Sequence, residues 1–268
     1  MNVNDHRGIQ NKVREHYGKV AKGKTGPCCN PHVKCCGDAD MAVLAGELSK
    51  GLGYSNGQLK TVPENSNLGL GCGNPIAIAE LKEGETVLDL GSGGGFDCFL
   101  ASQKVGSAGQ VIGVDVTPEM VALARKNAAS GKFENVEFRY GEIERLPITG
   151  ESIDAIMSNC VINLSPDKQR VFAEAYRVLK RGGRLTVFDV VAVAPLPEQI
   201  ATDLEAYVGC VAGAMLIDDL VDILESVGFT GVSVEPQCQS REYIREWMPG
   251  MHVEDYVVSA VIRAVKPL

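Results

Sequence analysis

No apolar run in this 268-residue sequence approaches the roughly 18–20 residues that a helix needs to cross a bilayer. The first residues, MNVNDHRGIQNKVREHYGK, lack an apolar stretch of the signal-peptide type, so we expect a cytoplasmic protein with no membrane partner. Basic residues are outnumbered, 26 against 34 acidic ones, and they are scattered rather than gathered in a stripe. With a net charge of −8, the chain is not expected to bind nucleic acid.

The composition also lacks the biases of disordered and fibrous chains, since 45% of the residues are hydrophobic and 22% are charged. Cysteine is the residue type that stands out, with nine copies. The odd count and a reducing compartment argue against a disulfide framework, which leaves buried residues, metal or metalloid ligands, and redox partners. The nine positions are Cys28, Cys29, Cys35, Cys36, Cys72, Cys98, Cys160, Cys210 and Cys238.

Three regions are predicted along the chain. Residues 1–75 form a Cys-rich N-terminal extension with one short amphipathic helix, and we expect it to cover the site. Residues 76–195 alternate short apolar strands with helices, the first of them IAIAEL (76–81), which predicts a parallel sheet with helices on both faces. Residues 196–268 add the last strands and further helical stretches, including PEQIATDLEAYVGCVAGA (197–214) and EYIREWM (242–248), and are predicted to form a substrate-binding cap.

A glycine-rich loop follows the first predicted strand, TVLDLG (86–91). The dinucleotide fingerprint fails because Phe96 stands at its third glycine position, and no G-K-[ST] follows for a phosphate-binding loop. Asp89 precedes Gly91 by two residues, and Asp115 ends the next strand, where an acid can bind ribose hydroxyls. A nucleoside with an amino group and no phosphate suits these acids, as S-adenosylmethionine (SAM) does; the alternative is a structural tight turn.

The D-x-G-x-G-x-G pattern resembles the class I SAM-dependent methyltransferases. That resemblance implies a Rossmann-like seven-stranded sheet in the order 3-2-1-4-5-7-6, with strand seven antiparallel. It implies a ribose contact for Asp115 and an adenine contact for Ile143 and Glu144 in GEIERLP (141–147). The alternative for Glu144 is a solvated surface acid. The other residues assigned to the cofactor pocket are Asp89, Gly91, Gly93, Gly95 and Asn159.

Three cysteines lie in separate motifs: Cys72 in GLGCGNP, Cys160 in MSNCVINLSPDK and Cys210 in YVGCVAGA. Only the fold could bring them together, and a cysteine such as Cys160 could instead be a buried spacer. Thiolates prefer soft metals and metalloids, so three of them on one scaffold would form a site for a soft acceptor.

The chain as a whole resembles the arsenite methyltransferases, densely over about residues 60–235. The matching stretches are NLGLGCGNP (67–75), VLDLGSGGGFDCFLA (87–101), GEIERLP (141–147), SNCVINLSPDKQRVF (158–172), RVLKRGGRL (177–185) and VGCVAGA (208–214). The resemblance implies an enzyme that methylates thiol-bound arsenite and then methylarsenite with SAM, in arsenic detoxification. It also implies that Cys72, Cys160 and Cys210 are catalytic and hold the arsenic.

The implied chemistry requires no general base, because trivalent arsenic keeps a lone pair, and all four histidines lie outside these motifs. Each methylation oxidises arsenic, and in the family a cysteine pair returns two electrons and a thiol reductant, thioredoxin or glutathione, resets it. Cys72 could pair with an N-terminal cysteine. The cluster of Cys28, Cys29, Cys35 and Cys36 could serve redox or relay, bind zinc with His32, or be an exposed segment. Cys98 and Cys238 are expected to be buried.

Two other functions remain open at this point. One is a class I methyltransferase for an organic small molecule, against which the three cysteine motifs argue. The other is a thiol-rich protein that binds metalloid without chemistry, against which the glycine loop argues.

Overall fold

The computed structural model describes residues 6–23 and 41–268, and within them one seven-stranded sheet organises the chain. The strand order is β3-β2-β1-β4-β5-β7-β6, and β7 runs antiparallel to both of its neighbours. The expected order and the antiparallel seventh strand are confirmed. The strands are β1 (Thr86–Leu90), β2 (Gln110–Asp115), β3 (Val136–Tyr140), β4 (Ile153–Asn159), β5 (Leu179–Ala192), β6 (Thr230–Gln237) and β7 (Val257–Val265).

Helices cover both faces of this sheet, as predicted. Val87 of β1 packs with Phe99 on one face, and Leu88 of the same strand packs with Phe172 on the other. This alternation follows from the two-residue period of a strand whose two faces are both buried. The helices are α1 (His6–Ala21), α2 (Met41–Gly51), α3 (Asn56–Lys60), α4 (Phe96–Val105), α5 (Pro118–Gly131), α6 (Lys168–Val178), α7 (Glu198–Ala201), α8 (Leu204–Val208), α9 (Ile217–Val227) and α10 (Arg241–Ile244).

A third apolar cluster joins the N-terminal helix to the C-terminal region. Ile9 and Val13 of α1 share it with Val208 of α8 and Ile244 of α10. Cys72 and Cys210 are buried in the same cluster. The extension and the C-terminal region therefore meet around two of the three motif cysteines.

Several predicted helices are shorter than the sequence pattern indicated. The helix expected over residues 76–81 is a single 3-10 turn, Pro75–Ala77. The one expected over residues 197–214 divides into α7 and α8, because the Asp203 side chain accepts from Ala206 N and begins a new helix. The helix predicted over 242–248 ends at Ile244.

Across the described residues, none of the helices combines the length and the apolar character that a membrane span requires. The cluster of Cys28, Cys29, Cys35 and Cys36 lies outside the described residues, as does His32.

Candidate functional site

A cavity of about 660 Å³ opens where the parallel strands end. Its wall includes the glycine loop after β1, the end of β2 at Asp115 and the end of β4 at Asn159. Side chains of α1 and α2 close it from the opposite side, among them Tyr17 and Leu48. The volume lies within the range of small-molecule sites, and the edge at the carboxyl ends of parallel strands is where such folds bind ligands.

The glycine loop forms one end of this cavity. Gly91, Gly93 and Gly95 have φ values of +73°, +50° and +92°, in the left-handed region that glycine adopts without strain. A side chain at Gly91 would also place its Cβ 2.4 Å from Cγ2 of Val161. The loop therefore requires glycine both for its conformation and for the close approach of the segment after β4.

Asp115 ties the loop to β2. Its Oδ2 accepts from Gly93 N at 2.9 Å, and its Oδ1 accepts from Thr117 N at 2.8 Å. Burial raises the pKa of this carboxyl, while the two backbone donors oppose that rise. The Thr117 side chain is a further donor to this carboxyl. Because a carboxylate offers about four acceptor positions, it can still accept from a ligand hydroxyl.

Two further buried acids, Asp89 and Asp97, line the same end. Burial, reinforced by the charge of Asp97, raises the pKa of Asp89 well above its ordinary value, and Cys98 Sγ donates to Asp89 Oδ2 at 3.2 Å. Burial raises the pKa of Asp97 to about 6, although Tyr54 Oη donates to it at 2.6 Å. Three buried carboxyls at one end of a cavity favour a ligand that brings positive charge and hydroxyl donors.

Ile143 and Glu144 lie in the cavity wall between β3 and β4. Ile143 is buried, whereas Glu144 is half-buried and its Oε1 accepts from Ser165 Oγ. The Glu144 side chain is therefore held in place by a protein partner rather than fully solvated.

The three motif cysteines converge at the other end of the site. Cys160 and Cys210 line the cavity, and the Cys210 thiol donates to Cys160 O at 3.1 Å. Cys72 is buried behind them, and its sulfur, the Cys160 sulfur and a carboxylate oxygen of Asp189 all lie within 4.8 Å of one another. Cys160 directly follows β4, whereas Cys72 lies before β1 and Cys210 follows α8, so only the folded chain brings the three together.

Cys160 and Cys210 share an uncommon backbone conformation. Their φ values are +60° and +63°, in the left-handed region that non-glycine residues rarely occupy. Each such residue costs on the order of 1 kcal/mol, and these strained positions tend to gather at functional sites. At both positions the site keeps a cysteine where a glycine would fit the backbone better.

Two thiols of this group, those of Cys160 and Cys72, have raised pKa values. Hydrogen bonds with Cys210 and Cys72, together with burial, raise the pKa of Cys160 well above its ordinary value. Burial raises the pKa of Cys72 as well. The ligand that suits protonated thiols is one that carries a leaving group able to take up their protons.

Asp189 also faces these thiols, although no motif in the sequence indicated a role for it. Its Oδ2 accepts from Ile162 N at 2.9 Å and from Asn163 N at 3.3 Å, and burial raises its pKa to about 6. The available signal was an acid inside the otherwise apolar stretch VFDVVA (187–192). A buried charge in such a strand is uncommon without a partner or a function.

The backbone of Cys72 is held from both sides by side chains. Asn159 Oδ1 accepts from Cys72 N at 2.9 Å, so Asn159 contacts the cysteine motif as well as the cavity. Ser259 Oγ and Tyr243 Oη donate to Cys72 O at 2.8 Å and 3.1 Å. Ser259 and Tyr243 were missed because they lie in the last quarter of the chain, and no local pattern connects them to Cys72.

The N-terminal helix α1 lies across the site. Tyr17 Oη donates to Val208 O at 3.1 Å. Arg14 pairs with Glu142 at 2.6 Å, and Lys22 pairs with Glu119 at 2.7 Å. The described part of the extension thus contacts both the β3–β4 segment and the C-terminal region.

The remaining described cysteines differ from each other. Cys98 is fully buried, as expected. Cys238 is exposed, so the prediction that it is buried is wrong. It stands at the start of the 3-10 turn Cys238–Ser240, just beyond β6. β6 is an edge strand that pairs with β7 on one side and has no strand on its other side.

Comparison with known proteins gives consistent results. A family described as a methyltransferase domain matches residues 81–228. An arsenite methyltransferase of Halobacterium salinarum is 48% identical over 259 residues, which cover 95% of this chain and 66% of that protein. The human arsenite methyltransferase is 44% identical over 59% of this chain and 44% of its own length. The chain thus spans about two thirds of the length of the Halobacterium protein and less than half of the length of the human protein.

A solved structure is similar as well. It is an arsenic(III) S-adenosylmethionine methyltransferase from Chlamydomonas reinhardtii, with a TM-score of 0.63 and 33% sequence identity. The similarity covers 82% of this chain and 73% of the algal chain.

Proposed function

The chain belongs to the arsenite methyltransferase family, and from this premise we propose that it transfers methyl groups from SAM to thiol-bound trivalent arsenic. Arsenite would be the first acceptor and methylarsenite the second, in arsenic detoxification. The observation that carries the proposal is one cavity with buried carboxyls at one end and the Cys160 and Cys210 thiols at the other. We retain the proposed division into an extension (1–75), a core (76–195) and a cap (196–268).

The residues at the carboxyl end fit SAM. Asp115 can accept from the ribose hydroxyls, and the acids Asp89 and Asp97 complement a positively charged methionine end. The residues we propose to bind SAM are Asp89, Gly91, Gly93, Gly95, Asp115, Ile143, Glu144 and Asn159.

We propose Cys72, Cys160 and Cys210 as the arsenic ligands. Arsenite at neutral pH is As(OH)₃, and each protonated thiol can form an As–S bond while its proton leaves with hydroxide as water. Three thiols would release three waters without a change of charge. The raised pKa values of Cys72 and Cys160 support this exchange, because it uses thiols and requires no free thiolate.

Methyl transfer itself would rest on placement. SAM, when bound, supplies an electrophilic methyl group, and trivalent arsenic offers a lone pair to it. The task left to the chain is to hold the arsenic at Cys160 and Cys210 and to exclude water with α1. Both sites open into one cavity, so orientation alone can contribute a large part of the rate.

The chain would also have to return two electrons to arsenic after each methylation. We propose that Cys72 forms a disulfide with an N-terminal cysteine, drawn from Cys28, Cys29, Cys35 and Cys36. A thiol reductant, thioredoxin or glutathione, would then restore both thiols. The cytoplasm is the proposed compartment because its thiol pools supply such a reductant.

The experiment that tests the function is a product assay. The protein is incubated with arsenite, SAM and a thiol, and arsenic species are separated by chromatography. Methylated arsenic is the expected product. SAM turnover with an organic acceptor but not with arsenite would overturn the proposal, as would arsenite binding in a protein that shows no SAM binding by calorimetry.

A further inference from the structure

One side chain, Asn159, contacts both ends of the cavity. Its Nδ2 donates to Asp97 Oδ2 at 3.2 Å and to Tyr54 Oη at 3.2 Å, in the carboxyl-lined end. Its Oδ1 accepts from Cys72 N at 2.9 Å, and Nδ2 also lies 2.9 Å from Gly73 O. A single carboxamide thus joins an acid of the proposed cofactor pocket to the backbone on both sides of the Cys72 side chain.

The carboxamide has little freedom to move. A Cβ placed on Gly71 would lie 2.7 Å from Asn159 Nδ2 and 2.8 Å from Oδ1, so the Cys72 loop packs directly against it. Tyr54 is buried, and its hydroxyl donates to Asp97 Oδ1 at 2.6 Å. Asn159, Asp97 and Tyr54 therefore form a closed set of hydrogen bonds, in which a shift at Asp97 is passed to Asn159.

We propose that Asn159 is a positioning residue that couples the two sites, so that a ligand in the carboxyl-lined end tightens arsenite binding at the cysteines. The inference rests on the proposed function, because it takes the cysteines as the arsenite site. It gives Asn159 a role beyond contact with the cofactor: its oxygen holds Cys72 in register with Cys160.

The physical basis is ordering. A positively charged ligand group bound beside Asp97 would form an ion pair with this carboxylate and hold it in one position. The acceptor of the hydrogen bond from Asn159 Nδ2 would then be fixed, and the carboxamide would be held more firmly. The Cys72 N–H then has a fixed acceptor, so the Cys72 backbone is already ordered before arsenite binds. Arsenite binding therefore costs less conformational entropy. Because coupling between two ligands is reciprocal, arsenite must tighten the cofactor ligand by the same factor.

The test measures arsenite binding with and without S-adenosylhomocysteine, which keeps the amino group and has no methyl to transfer. Trp247, the single tryptophan, lines the cavity and serves as the fluorescence reporter. In the wild type we expect S-adenosylhomocysteine to lower the arsenite Kd by about fivefold or more, within the usual range of coupling between sites. Titration in the reverse order should give the same factor.

Two substitutions of Asn159 separate its bond to Cys72 from its bonds to Asp97 and Tyr54. Asn159→Ala removes both the acceptor for Cys72 and the donors, so the coupling factor should fall to about one, with weaker arsenite binding. Asn159→Asp keeps an acceptor for Cys72 N but loses the donors to Asp97 and Tyr54, so arsenite should bind without coupling. The matched control is Asn135→Ala, because Asn135 also donates to two carbonyls, of Ser102 and Gly106, yet lies outside the cavity wall. It should keep the wild-type factor.

The outcomes distinguish the coupling from the function. If wild-type protein binds arsenite with the same Kd whether or not S-adenosylhomocysteine is present, the coupling is wrong and the proposed function stands. Full coupling in Asn159→Ala would equally overturn it. Failure of the wild type to bind arsenite at all would instead overturn the proposed function. Should the Asn159 variants not fold, Tyr54→Phe replaces them, since it removes the hydroxyl that bonds both Asp97 and Asn159.

Discussion

The two ends of the cavity are built in different ways. The carboxyl-lined end comes from one short stretch of sequence, Asp89 to Asp97, together with the next strand end at Asp115. The cysteine end draws on segments around residues 72, 160 and 210, and its backbone supports come from Asp189 and Ser259. A site for a widely used cofactor can thus be carried by a local motif, whereas the substrate site depends on the whole topology.

The two ends also differ in the hydrogen bonds that fix their backbone. Asp115 fixes the glycine loop through backbone donors, Gly93 N and Thr117 N, that belong to the same motif region. Cys72 is fixed through Asn159, Tyr243 and Ser259, which lie on β4, α10 and β7. Substitutions at the cysteine end should therefore act over longer distances in sequence and be more selective for one substrate.

The largest expected effect is at Cys160 and Cys210. Cys160→Ser or Cys210→Ser should reduce methylation of both arsenite and methylarsenite below about one thousandth of the wild-type rate, a barrier increase of about 4 kcal/mol. A hydroxyl is a hard ligand and a poor substitute for sulfur on trivalent arsenic. The measurement is product formation by chromatography, with SAM affinity by calorimetry unchanged. Near wild-type methylation by Cys160→Ser would remove the proposed arsenic site; Cys238→Ser, at an exposed cysteine, is the matched control.

Cys72→Ser should separate the two substrates. Arsenite can accept three sulfurs and methylarsenite only two, so the third thiol matters for the first methylation. Arsenite methylation should be lost while methylarsenite methylation continues, in the same chromatographic assay. A single turnover is measured for each substrate, because the proposed electron return through Cys72 is needed only after the methyl transfer. Equal loss of both single turnovers would overturn the assignment of Cys72 as the third arsenic ligand.

A third prediction uses the buried acid Asp97 at the cofactor end. Its folded pKa is about 6 against an ordinary 3.8, so the folded state holds this proton more tightly than the unfolded chain does. Its contribution to stability is therefore complete below pH 3.8 and is lost as the pH rises to about 6. Across that range the free energy of unfolding of the wild type should fall by about 3 kcal/mol relative to Asp97→Asn.

Urea unfolding at several pH values checks this third prediction. Glu174→Gln provides a control of opposite sign, because a hydrogen bond from Arg177 lowers the pKa of Glu174. Its stabilising contribution should be lost as the pH falls, not as it rises. A wild-type-minus-variant difference for Asp97 that stays constant from pH 4 to pH 6 would contradict the assignment of the raised pKa.

The two ends of the cavity also differ in how far they could be predicted from the sequence. The glycine loop and the acid at the end of β2 were predictable because each depends on residues close together in the chain, and the strand order was implied by the family resemblance that this motif carries. Asp189 and Ser259 were not, since their importance comes from hydrogen bonds to backbone that only the folded sheet brings within reach. The short helices α7 and α8 were merged for a related reason: the cap at Asp203 outweighs the continuous helical pattern.

Asp115 tests the cofactor end by itself. Asp115→Ala should weaken SAM binding by about 1–3 kcal/mol, because the ribose hydroxyls lose a charged acceptor. Arsenite binding measured without cofactor should change little, since Asp115 contacts the glycine loop and not the cysteines. Calorimetric titration gives both affinities. Asp167→Ala, which loses a helix cap on α6, controls for a general loss of stability; unchanged SAM affinity in Asp115→Ala would remove the cofactor assignment.

The smallest expected effect is at Tyr243, which is far from Cys72 in sequence but donates a hydrogen bond to its carbonyl oxygen. Tyr243→Phe removes one of the two hydroxyls that donate to Cys72 O, while Ser259 keeps the other. One neutral hydrogen bond contributes about 0.5–1.5 kcal/mol, so arsenite should bind up to about tenfold more weakly. Methylarsenite binding should be almost unaffected if it uses only Cys160 and Cys210. Tyr140→Phe, at an exposed tyrosine on β3, should leave both affinities at wild-type values. Equal weakening of both arsenicals by Tyr243→Phe would mean that this hydroxyl shapes the cavity as a whole and does not act through Cys72.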